Sequence, residues 1–145
     1  ELTVETPEVK PGKFKYRLRP ELLADTEYIL TNLDSTSVQV VDTRSADEYA
    51  GVDVRADRGG HIPGAVNVDW VKTVDSNSTF LPVGELAELY DYSGLDPNKT
   101  QITHCQTGVR GAHTYFVLRY MGFKDVKLYD ESWVVWGNTD ETPVE

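Results

Sequence analysis

The chain has 145 residues, 39% of them apolar and 26% charged, with a formal net charge of −10. That is enough for one ordinary domain around a single core, and no apolar run approaches the roughly 18 residues of a membrane-spanning helix. The negative field repels phosphate backbones and anionic headgroups, so no nucleic-acid or membrane partner is expected, and an anionic substrate needs a local positive pocket.

Residues 1–19 hold Pro7, Pro11, Gly12 and alternating charges, and read as an extended arm or inter-domain linker. No basic-then-apolar leader is expected there. Residue 1 is Glu and the only Met is Met121, so the chain reads as a mature product or a piece of something longer. A cytoplasmic location is expected, with the periplasm as the alternative. The second unit, residues 20–145, opens with a helix from Pro20 that carries Leu22, Leu23, Tyr28, Ile29, Leu30 and Leu33. Asn32 to Ser37 is turn chemistry, and Val38 to Val41 predicts a buried strand ending at Asp42.

Ser45 to Tyr49 predicts a helical turn, with Ser45 as cap and Glu48 as its capping-box partner. A loop over 50–64 and a short strand over 65–68 follow. Pro82 opens a helix through Leu86, Leu89 and Tyr90 that stops near Gly94 and Pro97. Residues 102–104 predict a third strand, 111–121 a helix ended by Gly122, and 126–129 a fourth strand. Strands alternating with helices predict α/β architecture with a mainly parallel sheet flanked by helices.

Cys105 is the only cysteine, which excludes an internal disulfide, a Cys-x-x-Cys pair and a thiolate zinc cluster. It opens the segment Cys105-Gln106-Thr107-Gly108-Val109-Arg110 between a strand and a helix, where α/β sheets place their ligand sites. A tight loop there can gather backbone N–H groups into an anion-binding nest, and the next helix adds its positive end. With the charge of Arg110, these features predict a depressed pKa at Cys105 and room for a second anion. The same spacing also suits a plain strand–turn–helix connection with a buried Cys, and on spacing alone the two readings stand level.

The segment resembles the active-site loop of the rhodanese family. Val40 to Ser45 resembles that family's strand ending in Asp-x-Arg, and Asp47 to Gly51 its Glu-Tyr-x-Gly. Gly60-His61-Ile62-Pro63-Gly64-Ala65 matches its Gly-His-Ile-Pro-Gly-Ala motif at every position. Tyr129 to Trp136 resembles the Gly-Ser-Trp-x-x-Trp segment of thiosulfate and mercaptopyruvate sulfurtransferases, with Glu131 where the family usually has Gly. A turn there needs another backbone conformation or a tolerated positive φ.

The resemblance implies a rhodanese-like three-layer fold and a sulfurtransferase that needs no cofactor and no metal. Cys105 would take the outer sulfur of thiosulfate as a persulfide and pass it to cyanide or a thiol. The amides of Gln106, Thr107, Gly108, Val109 and Arg110 would stabilise the persulfide, and Arg110 would bind the sulfonate. Arg44 would either reach the pocket or pair with Asp42 or Glu48 as scaffold. Thr107 would orient substrate or cap the helix. His61, His104, Trp133 and Trp136 are expected to be structural, His113 to lie at the surface, and Arg55 and Arg58 to be solvated loop charges or to border the mouth. A second rhodanese domain N-terminal to this chain is a possible partner. The alternatives are a mercaptopyruvate sulfurtransferase, a non-catalytic interaction module, and a phosphatase or arsenate-reductase-like enzyme. Phosphatases place five residues between Cys and Arg, against four here.

Overall fold

β-Branched runs with no glycine form the centre of the sheet. In the computed structural model, which describes residue 4 and residues 8–145, these are β1 (Val38–Asp42) and β3 (Thr100–His104). With β2 (Val66–Asn67) and β4 (Val126–Leu128) they make a parallel sheet in the order β2-β1-β3-β4. Asp42 lies opposite His104 in the register, so the two central strands end level. The segments that follow them, from Thr43 and from Cys105, therefore leave the same edge of the sheet.

Side chains alternate across this sheet and separate two cores. Val40 and Ile102 pack on one side with Ile29 of α1 (Thr26–Thr31), Tyr49 of α2 (Ala46–Tyr49) and the tryptophans of α5 (Ser132–Trp136). Val41 packs on the other side with Leu86 and Tyr90 of α3 (Val83–Tyr92) and with Val117 and Leu118 of α4 (Val109–Tyr120). The result is the expected α/β arrangement of a parallel sheet between helices.

The helix expected from Pro20 is divided. Pro20–Leu22 is a 3-10 turn; Leu23 then bridges to Leu128 and the Ala24 N–H donates to the Leu128 carbonyl at 2.9 Å. The Asp25 carboxylate accepts the Tyr28 N–H at 2.8 Å and restarts the chain as α1. Pairing with the sheet edge thus overrides the apolar periodicity. A 3-10 turn over Trp70–Thr73 and the helix α5 are elements that periodicity does not announce. Residues 8–19 carry no helix or strand and are exposed; Pro7 lies outside the described residues. Among the described residues no helix is long and apolar enough to cross a membrane.

Candidate active site

Cys105 to Gly108 connect β3 to α4. The carbonyls at the start of this connection are held by neighbouring elements. His104 O accepts both the N–H (3.0 Å) and the hydroxyl (2.9 Å) of Thr43. Cys105 O accepts the N–H of Trp133 at 3.0 Å, and Gln106 O that of Val134 at 2.9 Å. The N–H groups of Gln106, Thr107, Gly108, Val109 and Arg110, in contrast, meet no carbonyl or side-chain acceptor among the described residues. A run of free amides with one left-handed residue is the makeup of an anion-binding nest, and α4 adds its positive end to it.

Gly108 is the left-handed residue, at φ +85°. A Cβ there would lie 2.5 Å from Asp130 Oδ1 and 2.9 Å from the Asp130 carbonyl, so glycine is required on two grounds. The side chain of Thr107 is exposed and does not cap α4, whose N-cap is Gly108. Val109 is also exposed.

The Cys105 side chain is a free thiol and only 1% exposed. Its own N–H donates to Ser132 Oγ at 3.2 Å, and Ser132 donates in turn to the Tyr129 carbonyl at 2.9 Å. Ser132 holds φ +55° and is fully buried. The turn flagged at Glu131 therefore resolves one residue later. Glu131 has ordinary helical angles, and its carboxylate accepts the N–H (3.2 Å) and hydroxyl (2.8 Å) of Thr26.

Arg110 reaches from the first turn of α4 to Glu48, a separation of 62 residues in the chain, and donates to its two oxygens at 2.7 and 2.8 Å. Glu48 is 2% exposed, accepts the Ser45 N–H at 3.1 Å as the expected capping box, and lies 3.4 Å from Arg55. The hydrogen bonds from Arg110 hold its carboxyl down to about 2 against the opposing effect of burial. Arg110 is raised in turn, first by Glu48 and also by the nearby Cys105 sulfur. Arg55 pairs with Asp53 at 2.6 Å, and its backbone carbonyl accepts the side-chain Nε2–H of Gln106 at 2.9 Å. Arg55, Gln106, Glu48 and Arg110 are thus linked around the loop.

Arg44 is placed in the scaffold. It is 1% exposed, donates to both oxygens of Asp42 at 2.5–3.0 Å and to the Gly60 carbonyl at 2.8 Å, and lies 4.3 Å over the Trp133 ring. Arg58 is neither solvated nor at the mouth: its guanidinium donates to the carbonyls of Trp136, Thr139 and Thr142 and fastens the C-terminal segment. His61 stacks on Tyr49 at 3.6 Å between centroids and its Nδ1 lies 3.0 Å from the Tyr49 carbonyl. His104 is fully buried, with Nε2 3.6 Å from Asp42, and burial lowers its pKa. His113 departs from the surface position expected for it. It is half-buried against Trp70 and Phe80, with Nε2 2.7 Å from the Thr73 hydroxyl, because the 3-10 turn folds back over α4. Trp133 and Trp136 are core residues.

Ser132 and the second role of Glu48 were not visible in the sequence. Both depend on contacts between segments far apart in the chain, and the one local signal was the position of Ser132 within Ser-Trp-x-x-Trp.

The rhodanese-like domain model matches residues 25–139. Thiosulfate sulfurtransferase of Pseudomonas aeruginosa is 38% identical over 141 residues, which is 97% of this chain and 52% of that protein. Thiosulfate sulfurtransferase of Azotobacter vinelandii is 38% identical over 144 residues, 99% of this chain and 53% of that protein. The sulfur carrier protein TtuD of Thermus thermophilus is 35% identical over 156 residues, 99% of this chain and 55% of that protein. The chain spans about half the length of the curated relatives it matches. Among solved structures, the anaerobic ergothioneine biosynthesis enzyme from Chlorobium limicola superimposes with a TM-score of 0.81 at 29% identity, over 88% of this chain and 32% of that one. A persulfide form of the enzyme EanB with ergothioneine gives the same TM-score, identity and coverage.

Proposed function

We propose that this chain, which belongs to the rhodanese-like domain family, moves a sulfane sulfur from thiosulfate to a thiophilic acceptor through a persulfide on Cys105. The observation that carries this reading is that the sole thiol opens a loop whose next five backbone amides meet no acceptor among the described residues. The names of the similar proteins support thiosulfate as donor.

In the first half-reaction the Cys105 thiolate attacks the outer sulfur of thiosulfate. A new S–S bond forms as the old one breaks, and sulfite leaves with the electron pair. In the second, cyanide or a thiolate attacks the terminal sulfur of the persulfide, and the Cys105 thiolate departs. Splitting one transfer into two displacements at sulfur needs no outside oxidant or reductant. The thiolate and the persulfide carry the same single negative charge, so one fixed set of N–H dipoles serves both without rearrangement. Arg110, with its terminal nitrogens bonded to Glu48, closes one side of the loop and adds its remaining field to the donor's sulfonate.

Initial rates with varied thiosulfate at several cyanide concentrations test the scheme. Parallel double-reciprocal lines and an inactive Cys105→Ser are expected. Intersecting lines, or turnover that survives Cys105→Ser, would overturn it.

A further inference from the structure

We infer that Glu48 is a specificity-determining residue: it cancels the cation beside Cys105 and so limits the preference of the site for a dianionic sulfur donor over a monoanionic one. This rests on the sulfurtransferase reading above.

The argument starts from what a capping box requires. At the third position of a helix, Gln serves as well as Glu, and the motif works at the protein surface. Glu48 fills that role for Ser45, yet its side chain is 2% exposed and both of its oxygens receive Arg110. The carboxylate therefore does more than cap a four-residue helix.

Its charge has a definite effect at the mouth of the loop. Glu48 faces Arg110 at 2.7 Å and Arg55 at 3.4 Å, and Arg55 faces Asp53 at 2.6 Å. The formal charges of these four residues cancel. One N–H of each terminal nitrogen of Arg110, the pair that would fork onto a sulfonate, is held by a resident carboxylate. What remains for an incoming donor is mainly dipolar: the free amides and the positive end of α4. A second negative charge on the donor thus gains little. Removing the charge at position 48 while keeping the shape leaves one net positive charge beside Cys105, and a dianion gains more from it than a monoanion.

Thiosulfate and methanethiosulfonate form the test pair. Each gives its outer sulfur to the Cys105 thiolate, and sulfite or methanesulfinate leaves with the bonding pair. The quantity read is the ratio of kcat/KM for thiosulfate to kcat/KM for methanethiosulfonate, with persulfide loading followed by intact mass. Glu48→Gln keeps a capping acceptor and should raise this ratio about five- to tenfold, the order expected for one uncompensated charge at the rim. The gain should shrink at high salt. Arg55→Gln removes a cation from the same group and should lower the ratio. An unchanged or lower ratio in Glu48→Gln overturns the inference. If Glu48→Gln does not fold, Arg55→Gln decides, and an unchanged or raised ratio there overturns it. Wild type that loads sulfur from neither donor would defeat the sulfurtransferase reading instead.

Discussion

Ser132 Oγ accepts the backbone N–H of Cys105 at 3.2 Å from a residue held at φ +55°. Left-handed backbone at a non-glycine residue costs on the order of 1–3 kcal/mol, and such residues gather at functional sites. Here the unusual backbone places one hydroxyl between two strands. It receives the amide at the end of β3 and donates to the Tyr129 carbonyl just after β4. The next two residues, Trp133 and Val134, donate their N–H groups to the carbonyls of Cys105 and Gln106. A turn at the start of α5 thus orients the peptide groups on which the loop depends.

Replacing Ser132 separates strain from hydrogen bonding. Ser132→Ala leaves the buried Cys105 N–H without its acceptor and should cost about 1–3 kcal/mol. Ser132→Gly loses the same bond but fits the positive φ, and should be more stable than Ser132→Ala by about 1 kcal/mol. Urea unfolding of the three proteins gives the order. Ser132→Ala at wild-type stability would show that the bond contributes nothing.

Arg44 divides the scaffold from the substrate site. Its charge is buried against Asp42 and Trp133, so Arg44→Ala strands the Asp42 carboxylate and should destabilise by about 3–5 kcal/mol. Arg44→Lys cannot reproduce the forked contact and should also lose stability. Well below its melting temperature, however, Arg44→Lys should keep the wild-type KM for thiosulfate within about twofold. A rise of tenfold in KM with unchanged melting would return Arg44 to the binding site.

Acid should release the Glu48 lock in a defined window. The Glu48 carboxyl is lowered from 4.5 to about 2, so it binds a proton less readily in the folded chain than in the unfolded one. Stability from the pair is therefore complete above about pH 4.5 and is lost as pH falls toward 2. Because Arg110 is partly solvated, this amounts to about 1–2 kcal/mol. His104, lowered by burial from 6.5, adds loss in the same direction from a higher pH. Unfolding free energies of wild type and Glu48→Gln between pH 6 and pH 3 should converge as pH falls. Parallel curves would contradict the assignment.

Local signals are legible in the sequence, and those that join distant segments are not. Ser45 and Glu48 lie three residues apart, and their capping box formed as expected. The β-branched run at Val38 and the apolar run after Val109 became strand and helix with ends moved by a few residues. The helix expected from Pro20 broke because Ala24 bonds to Leu128, more than 100 residues away. Arg58 was expected at the loop mouth or in solvent, yet its partners are carbonyls between Trp136 and Thr142. The position of Cys105 could be inferred from strand–loop–helix order alone. The carbonyls of Cys105 and Gln106 are held from α5, a five-residue helix without a side-chain cap that no periodic pattern reveals.

The central claim is that Cys105 holds an extra sulfur, and intact mass reads this most directly. After incubation with thiosulfate and removal of small molecules, the wild-type chain should gain about 32 Da. Cyanide should remove the added mass, and Cys105→Ala should never acquire it. An unchanged wild-type mass, or the same gain in Cys105→Ala, would contradict the account.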